Sequence, residues 1–220
     1  MPCKPIDIKV FAVCCAYTAV LLGFEVYVGT EQVETVNTAI AVVQRLIEDG
    51  KLDTAKGRTL YTDNWYTSVK LAQWLWEKKC WRFCGTIVPT NKAAREGNDV
   101  PFHKVSKGAL NTISRGWFWE AVLEKSFERS KYCVQCTTWK DRKQVMFLHT
   151  SSVGSSRGKH TVRRGKKGKH GHDILPAPLS QLDYALNFSA VDRNDRDSAD
   201  YTTSLHTNRR YLHVMFWLLD

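Results

Sequence analysis

Between Gly57 and Ser68 the chain reads Gly-Arg-Thr-Leu-Tyr-Thr-Asp-Asn-Trp-Tyr-Thr-Ser. A short β-type run stops abruptly at Asp63, and a helix-start residue follows at Ser68. Few folds tolerate that sequence of events. It sets a carboxylate at the carboxyl end of a strand, the place where ligands of α/β sheets collect. One carboxylate is not a site, so its partners must come from elsewhere in the chain.

The flanking patterns supply the rest of an α+β framework. Ile8 to Ala16 and Ala19 to Val28 are two β-rich runs separated by a turn-like step at Tyr17-Thr18, which predicts an antiparallel hairpin. Val36, Ile40, Val43, Leu46 and Ile47 recur at helical spacing and Gly50 lies just past them, so 36–47 reads as a helix. Arg58 to Thr62 is the next strand. Ser68 then caps a helix to about Lys79, with Leu71, Trp74 and Leu75 on its inner face, and Phe83 to Val88 is a further strand. This β-β-(β)-α-β-α-β order suits a ribonuclease-H-like core, and equally a generic α+β domain.

Beyond the polar, Gly-punctuated loop 91–108, Trp117 to Leu123, Tyr132 to Trp139 and Gln144 to His149 are short β-like runs, with a charged turn at 139–143. The expected organisation is a first core segment over 1–90, a β-rich insertion over 91–150, a basic flexible linker over 151–175 and a C-terminal helical core segment over 176–220. Within that last segment Leu182 to Leu186 resumes apolar character, and Tyr201 to Leu219 reads as an amphipathic helix.

Composition narrows the class of function. The 220 residues carry a net charge of +10, with 43% hydrophobic and 25% charged residues, enough to build a packed interior. The positive charge concentrates between Arg157 and His170, which favours a polyanionic partner or a nuclear import receptor over a solvated linker. Arg157, Lys159, Arg163, Arg164, Lys166, Lys167 and Lys169 are the candidate nucleic-acid contacts, supplying affinity rather than sequence selectivity. No apolar run reaches the ~18 residues of a membrane helix, and no secretory leader pattern opens the sequence. Seven cysteines in such a chain point to free thiols in a reducing compartment.

Asp192 and Asp195, three residues apart in Val191-Asp192-Arg193-Asn194-Asp195-Arg196, share one face if that segment is helical. With Asp63 they could line one pocket around Mg²⁺ or Mn²⁺, hard cations that suit oxygen donors and activate a water or hydroxyl against a phosphodiester. Their bland alternative is pairing with Arg193, Arg196 or other surface charges. Cys133 and Cys136 have zinc-ligand spacing and Cys80 with Cys84 forms a looser pair, but thiols without a metal suit both pairs better. His160, His170 and His172 are expected to bind nothing specific. Of the eight tryptophans, Trp65 beside Asp63 alone suggests a base-stacking role rather than core.

Val10 to Cys14 with Gly23 to Gly29, then Leu60 to Ser68, Trp139 to Val145 and Tyr184 to Arg196, resemble the piggyBac transposase family in the right order over nearly the whole chain. The Tyr-Thr-Asp-Asn-Trp-Tyr-Thr-Ser block is the most specific of these. The resemblance implies a ribonuclease-H-like DDE-type core with a β-rich insertion, cutting and joining DNA at TTAA targets with three aspartates and Mg²⁺. Asp63 matches the second family aspartate, Asp192 the third, and Asp195 an accessory acidic position. The first falls in the opening strand, where the family reads approximately Ala-Leu-Cys-Asp-Ala and this chain reads Ala12-Val13-Cys14-Cys15-Ala16.

Cys15 therefore stands where the resemblance calls for a metal-bridging carboxylate. A thiol is soft and, at a reference pKa near ~8.5, mostly protonated at neutral pH. No neighbour in sequence is arranged to lower it. The family's Met-Gly-Gly-type turn before the third aspartate is also replaced, by Asn187-Phe188-Ser189-Ala190, and a need for glycine there would shift Asp192. The expectation is a catalytically inactive, transposon-derived nuclear protein with residual DNA binding, possible dimerisation and no membrane role, incomplete at both ends. The alternatives are an active metal-dependent transposase or nuclease, with Glu25 or Glu31 replacing the missing carboxylate, and a truncated relic without function.

Overall fold

The computed structural model describes residues 10–27, 39–52, 56–88, 112–127, 130–152, 159–165 and 171–200. The chain divides into two compact units, Met1–Thr54 with Ser189–Asp220, and Ala55–Phe188.

In the first unit, β1 (Val10–Cys14) and β2 (Leu21–Val26) pair antiparallel as the expected hairpin. Its connection closes through Cys15 N–H to the Val20 carbonyl at 2.9 Å and Ala19 N–H to the Cys15 carbonyl at 2.8 Å. Helix α1 (Ala39–Asp49) buries Val42, Val43, Leu46 and Ile47 on one stripe, the helical spacing read from the sequence. Glu25 on β2 receives two hydrogen bonds from Arg45 of α1, at 2.7 and 2.9 Å. Helix α4 (Ala190–Asp200) carries Asp192 in its first turn.

The second unit is built on a five-stranded sheet ordered β3-β4-β7-β6-β5, comprising β3 (Thr59–Thr62), β4 (Arg82–Ile87), β5 (Phe118–Phe127), β6 (Ser130–Lys140) and β7 (Gln144–Ser152). β3 and β4 run parallel and the other pairs antiparallel. Parallel neighbours need a crossover, supplied by α2 (Val69–Trp74) and a wider π-type turn over Leu75–Lys79. Ser68 caps α2 as expected, its hydroxyl accepting from Leu71 N–H at 3.1 Å. Leu71, Ala72 and Leu75 are fully buried, whereas Trp74, expected on the inner face, is only partly buried, with the Lys79 ammonium over its ring.

Two expectations need correction. The strands read as a separate β insertion continue the sheet of β3 and β4, because β7 pairs directly with β4 (Cys84 opposite His149, Ile87 opposite Met146). Part of the expected flexible linker is likewise ordered: β8 (Lys159–Gly165) and β9 (His172–Pro178) form an antiparallel hairpin. Val162 packs on a cluster of Trp139, Phe147 and Ala177, and Trp139 Nε1–H donates to the Pro176 carbonyl at 3.0 Å. Helix α3 (Leu179–Asn187) follows, with Leu182 and Leu186 exposed. The helix read over 201–219 lies outside the described residues. Among the described residues, no helix is long and apolar enough to cross a membrane.

Candidate active site

Asp63 occupies the first position after β3, as the sequence requires, and its side chain is exposed. One carboxylate oxygen is already engaged: Oδ1 accepts from the N–H of Trp65 at 3.0 Å and of Tyr66 at 3.4 Å. The Asp63 carbonyl accepts from Thr67, at 3.2 Å from the N–H and 2.7 Å from the hydroxyl. Thr67 and Thr62 then share a buried hydroxyl–hydroxyl hydrogen bond at 2.8 Å. Asp63 thus shapes its own loop, and Trp65, 41% exposed and edge-on to Tyr66 at 4.6 Å, is carried on the same turn. Asparagine preserves the Oδ1 acceptor and alanine does not. Asp63→Asn is therefore expected to keep the unfolding free energy within a few tenths of a kcal/mol, and Asp63→Ala to lower it by about 1 kcal/mol. Chemical denaturation of the two variants separates the outcomes.

Cys15 lies just beyond β1, where the chain enters the hairpin turn. Contrary to expectation, its surroundings favour the thiolate. Hydrogen bonds from the Thr18 hydroxyl, then from the backbone N–H groups of Thr18 and Tyr17, and the positive charge of Arg193 hold its pKa below the usual thiol value. Linear sequence hid the approach of Arg193, because it comes from a helix far away in sequence. Cys14 behaves oppositely: burial, with Asp195 and Cys15 nearby, pushes its thiol up to about 11.

Asp192 and Asp195 share helix α4, as their spacing predicted, and both are exposed. Between them Arg193 donates to the Ala16 carbonyl and ties α4 to the hairpin turn. Nothing in the sequence marked Arg193 for that role. No glycine conformation is required before the helix, since Phe188 sits at φ −73°, so the expected displacement of Asp192 loses its basis. Glu25, the replacement carboxylate of the active-enzyme reading, is held in its ion pair with Arg45; Glu31 lies outside the described residues.

The first unit thus gathers Cys15, Asp192 and Asp195, and the second carries Asp63. At the end of β1 the groups present are the Cys14 and Cys15 thiols, the Asp195 carboxylate near Cys14 and the Arg193 guanidinium near Cys15, a set that suits Mg²⁺ poorly because the sulfur is soft and the arginine already supplies positive charge. Among the described residues, no three His, Cys, Asp or Glu side chains form a group able to hold a metal ion.

Other candidates resolve individually. Cys133 and Cys136, three apart on β6, point to opposite faces of the sheet and cannot share one zinc ion. Both are buried, and burial raises the Cys136 thiol to about 12. Cys84 is buried and Cys80 exposed. His160, expected to bind nothing, lies 3.0 Å from the Gln181 side-chain oxygen. His172 is exposed, and His170 lies outside the described residues. Of the basic candidates, Arg163 and Arg164 lie on β8; Lys159 opens that strand, and Arg157, Lys166, Lys167 and Lys169 lie outside the described residues.

The comparisons bear on this geometry. The DDE-class family model described as Transposase IS4 matches residues 1–220. A search of curated proteins finds no significant match. Among solved structures, the chain is similar to the piggyBac transposase of a cryo-EM synaptic complex with hairpin DNA, at TM-score 0.65 and 20% identity, over 98% of this chain and 39% of that one. It therefore spans about two fifths of that transposase's length. At this identity the likeness establishes the fold, an α+β core of ribonuclease-H-like type. DDE transposases usually employ a divalent metal, against which the donor set at Cys15 stands out.

Proposed function

Because the chain belongs to the DDE-type transposase family described as Transposase IS4, we propose that it is a transposase-derived, nuclear DNA-binding module whose strand-cleavage chemistry has been lost. The observation that carries this reading is Cys15. It occupies the position at the end of β1 where the piggyBac resemblance calls for the first metal-bridging aspartate. A hydrogen-bonded thiol next to Arg193 replaces a hard oxygen donor there. Asp63, Asp192 and Asp195 persist as the remaining acidic positions.

DNA association is supported by the +10 net charge, the basic run from Arg157 to His170 and the DNA-bound solved relative. The active-enzyme reading is disfavoured by the Glu25–Arg45 pair, since drawing Glu25 into metal binding would break its two hydrogen bonds from the half-buried Arg45.

The test is nicking of a supercoiled plasmid carrying TTAA sites, with Mg²⁺ or Mn²⁺. The unmodified chain is expected to give no more product than its Asp63→Asn variant, while retaining DNA binding in a gel-shift assay. Cys15→Asp should raise metal-dependent nicking above that baseline. Cleavage by the unmodified chain that disappears in Asp63→Asn or Glu25→Gln would overturn the proposal, and absence of any DNA binding would remove its second half.

A further inference from the structure

The sequence concentrates basic residues between Arg157 and His170, but the fold joins part of that run to a second basic element. Lys140, Asp141, Arg142 and Lys143 make the tight turn between β6 and β7, closed by Asp141 N–H to the Lys143 carbonyl at 3.1 Å. Arg142 reaches across to β8 and donates from Nη2 to the Gly165 carbonyl at 3.0 Å. Arg164 lies over the Trp139 ring at 5.5 Å and 3.6 Å from Asp141. The turn and the end of β8 are therefore one surface, fixed by backbone and aromatic contacts.

The charge balance of that surface is lopsided. Its two carboxylates, Asp141 and Asp173, are both bound by Arg115, at 2.6 and 3.2 Å. Arg164 faces Trp139 and Asp141, and Arg163, its neighbour in the strand, faces away from them to solvent; with Lys140, Arg142 and Lys143 the cations at this end outnumber the carboxylates, and Arg142, Lys143 and Arg163 are exposed. Cations fixed on strands and a tight turn lose little freedom on meeting a regularly spaced row of phosphates. They also cannot be presented as the extended peptide an import receptor would read, because Arg163 and Arg164 are paired to β9.

We propose that the β6–β7 turn and the Arg163–Gly165 end of β8 form one phosphate-binding surface for double-stranded nucleic acid. This rests on the DNA-binding half of the proposed function and assigns it a place.

The test measures the affinity of the full chain for a duplex of arbitrary sequence over a salt series. A triple variant, Lys140→Gln with Arg142→Gln and Lys143→Gln, is compared with a control of equal charge change, Lys56→Gln with Lys70→Gln and Lys78→Gln. Each phosphate contact contributes about 0.9 to the slope of log affinity against log salt, so the turn variant should lose about 2 to 3 from that slope. The control should move it by less than about 0.5. If the triple variant does not fold, Lys143→Gln alone, on an exposed side chain, should lower the slope by about 1. Equal slope changes in turn and control variants, or none in either, would overturn the surface while leaving DNA binding intact. No duplex binding by the unmodified chain even at low salt would overturn both readings at once.

Discussion

Replacing Gly85 by alanine is expected to destabilise the second unit by more than a single added methyl usually does. Gly85 lies in β4 opposite Thr62 of β3, and both are buried. A Cβ built on it stands 2.6 Å from the Thr62 hydroxyl and 3.0 Å from the Thr62 carbonyl, and meets the Thr67 hydroxyl closer still. None of these is the loose end of a flexible side chain. The two hydroxyls hydrogen-bond each other, and Thr67 is tied in turn to the Asp63 carbonyl. Making room means separating β3 from β4 or breaking that hydroxyl pair, and overpacking of this kind costs about 2 to 3 kcal/mol. Denaturant unfolding of Gly85→Ala would show it as a fall in midpoint at unchanged slope; a loss below about 0.5 kcal/mol would mean that the strands adjust freely. The same crowding should disturb the Asp63 loop, read out as altered Trp65 fluorescence in the folded state.

What the residues announced in advance, and what they concealed, follows from the range of the interactions involved. Ser68 and Asp63 were legible because each acts on backbone groups two or three residues away, so the signal and its cause sit in one window. The spacing of Asp192 and Asp195 was legible for the same reason. The pairing of β4 with β7 was not, since strand periodicity fixes which face is buried but not which strand lies alongside. The β8–β9 hairpin was masked by its own charge: Arg163 and Arg164 outweighed Val162, whose contact with the Trp139 cluster comes from residues far away in sequence. At the candidate site, Cys15 was legible as the residue standing where the piggyBac resemblance calls for an aspartate. The approach of Arg193 to that thiol was not, because it comes from a helix far away in sequence that meets the hairpin turn only in the folded unit.

Acid should weaken the second unit through a single imidazole. His149 on β7 is only 6% exposed, with Cys84 opposite it on β4 and Gln135 opposite it on β6. Its Nε2 is buried without a hydrogen-bond partner among the described residues. Burial disfavours the charged form and lowers its pKa from 6.5 to about 4. The folded chain therefore binds fewer protons than the unfolded chain between those values. The stability tied to the neutral ring is present above pH 6.5 and is lost as pH falls toward 4. A shift of this size corresponds to about 3 kcal/mol in full, most of it expended between neutrality and about pH 4.5. Carboxylates titrate in the same region, so the measurement is a difference. The unmodified chain should lose about 2 kcal/mol more than His149→Gln when unfolding is followed at both ends of that range. Parallel losses in the two proteins would show that the ring is protonated without cost and that β7 opens to water. If the difference appears, acid reaches Asp63 indirectly: β7 holds β4, β4 holds β3, and the carboxylate stands at the end of β3.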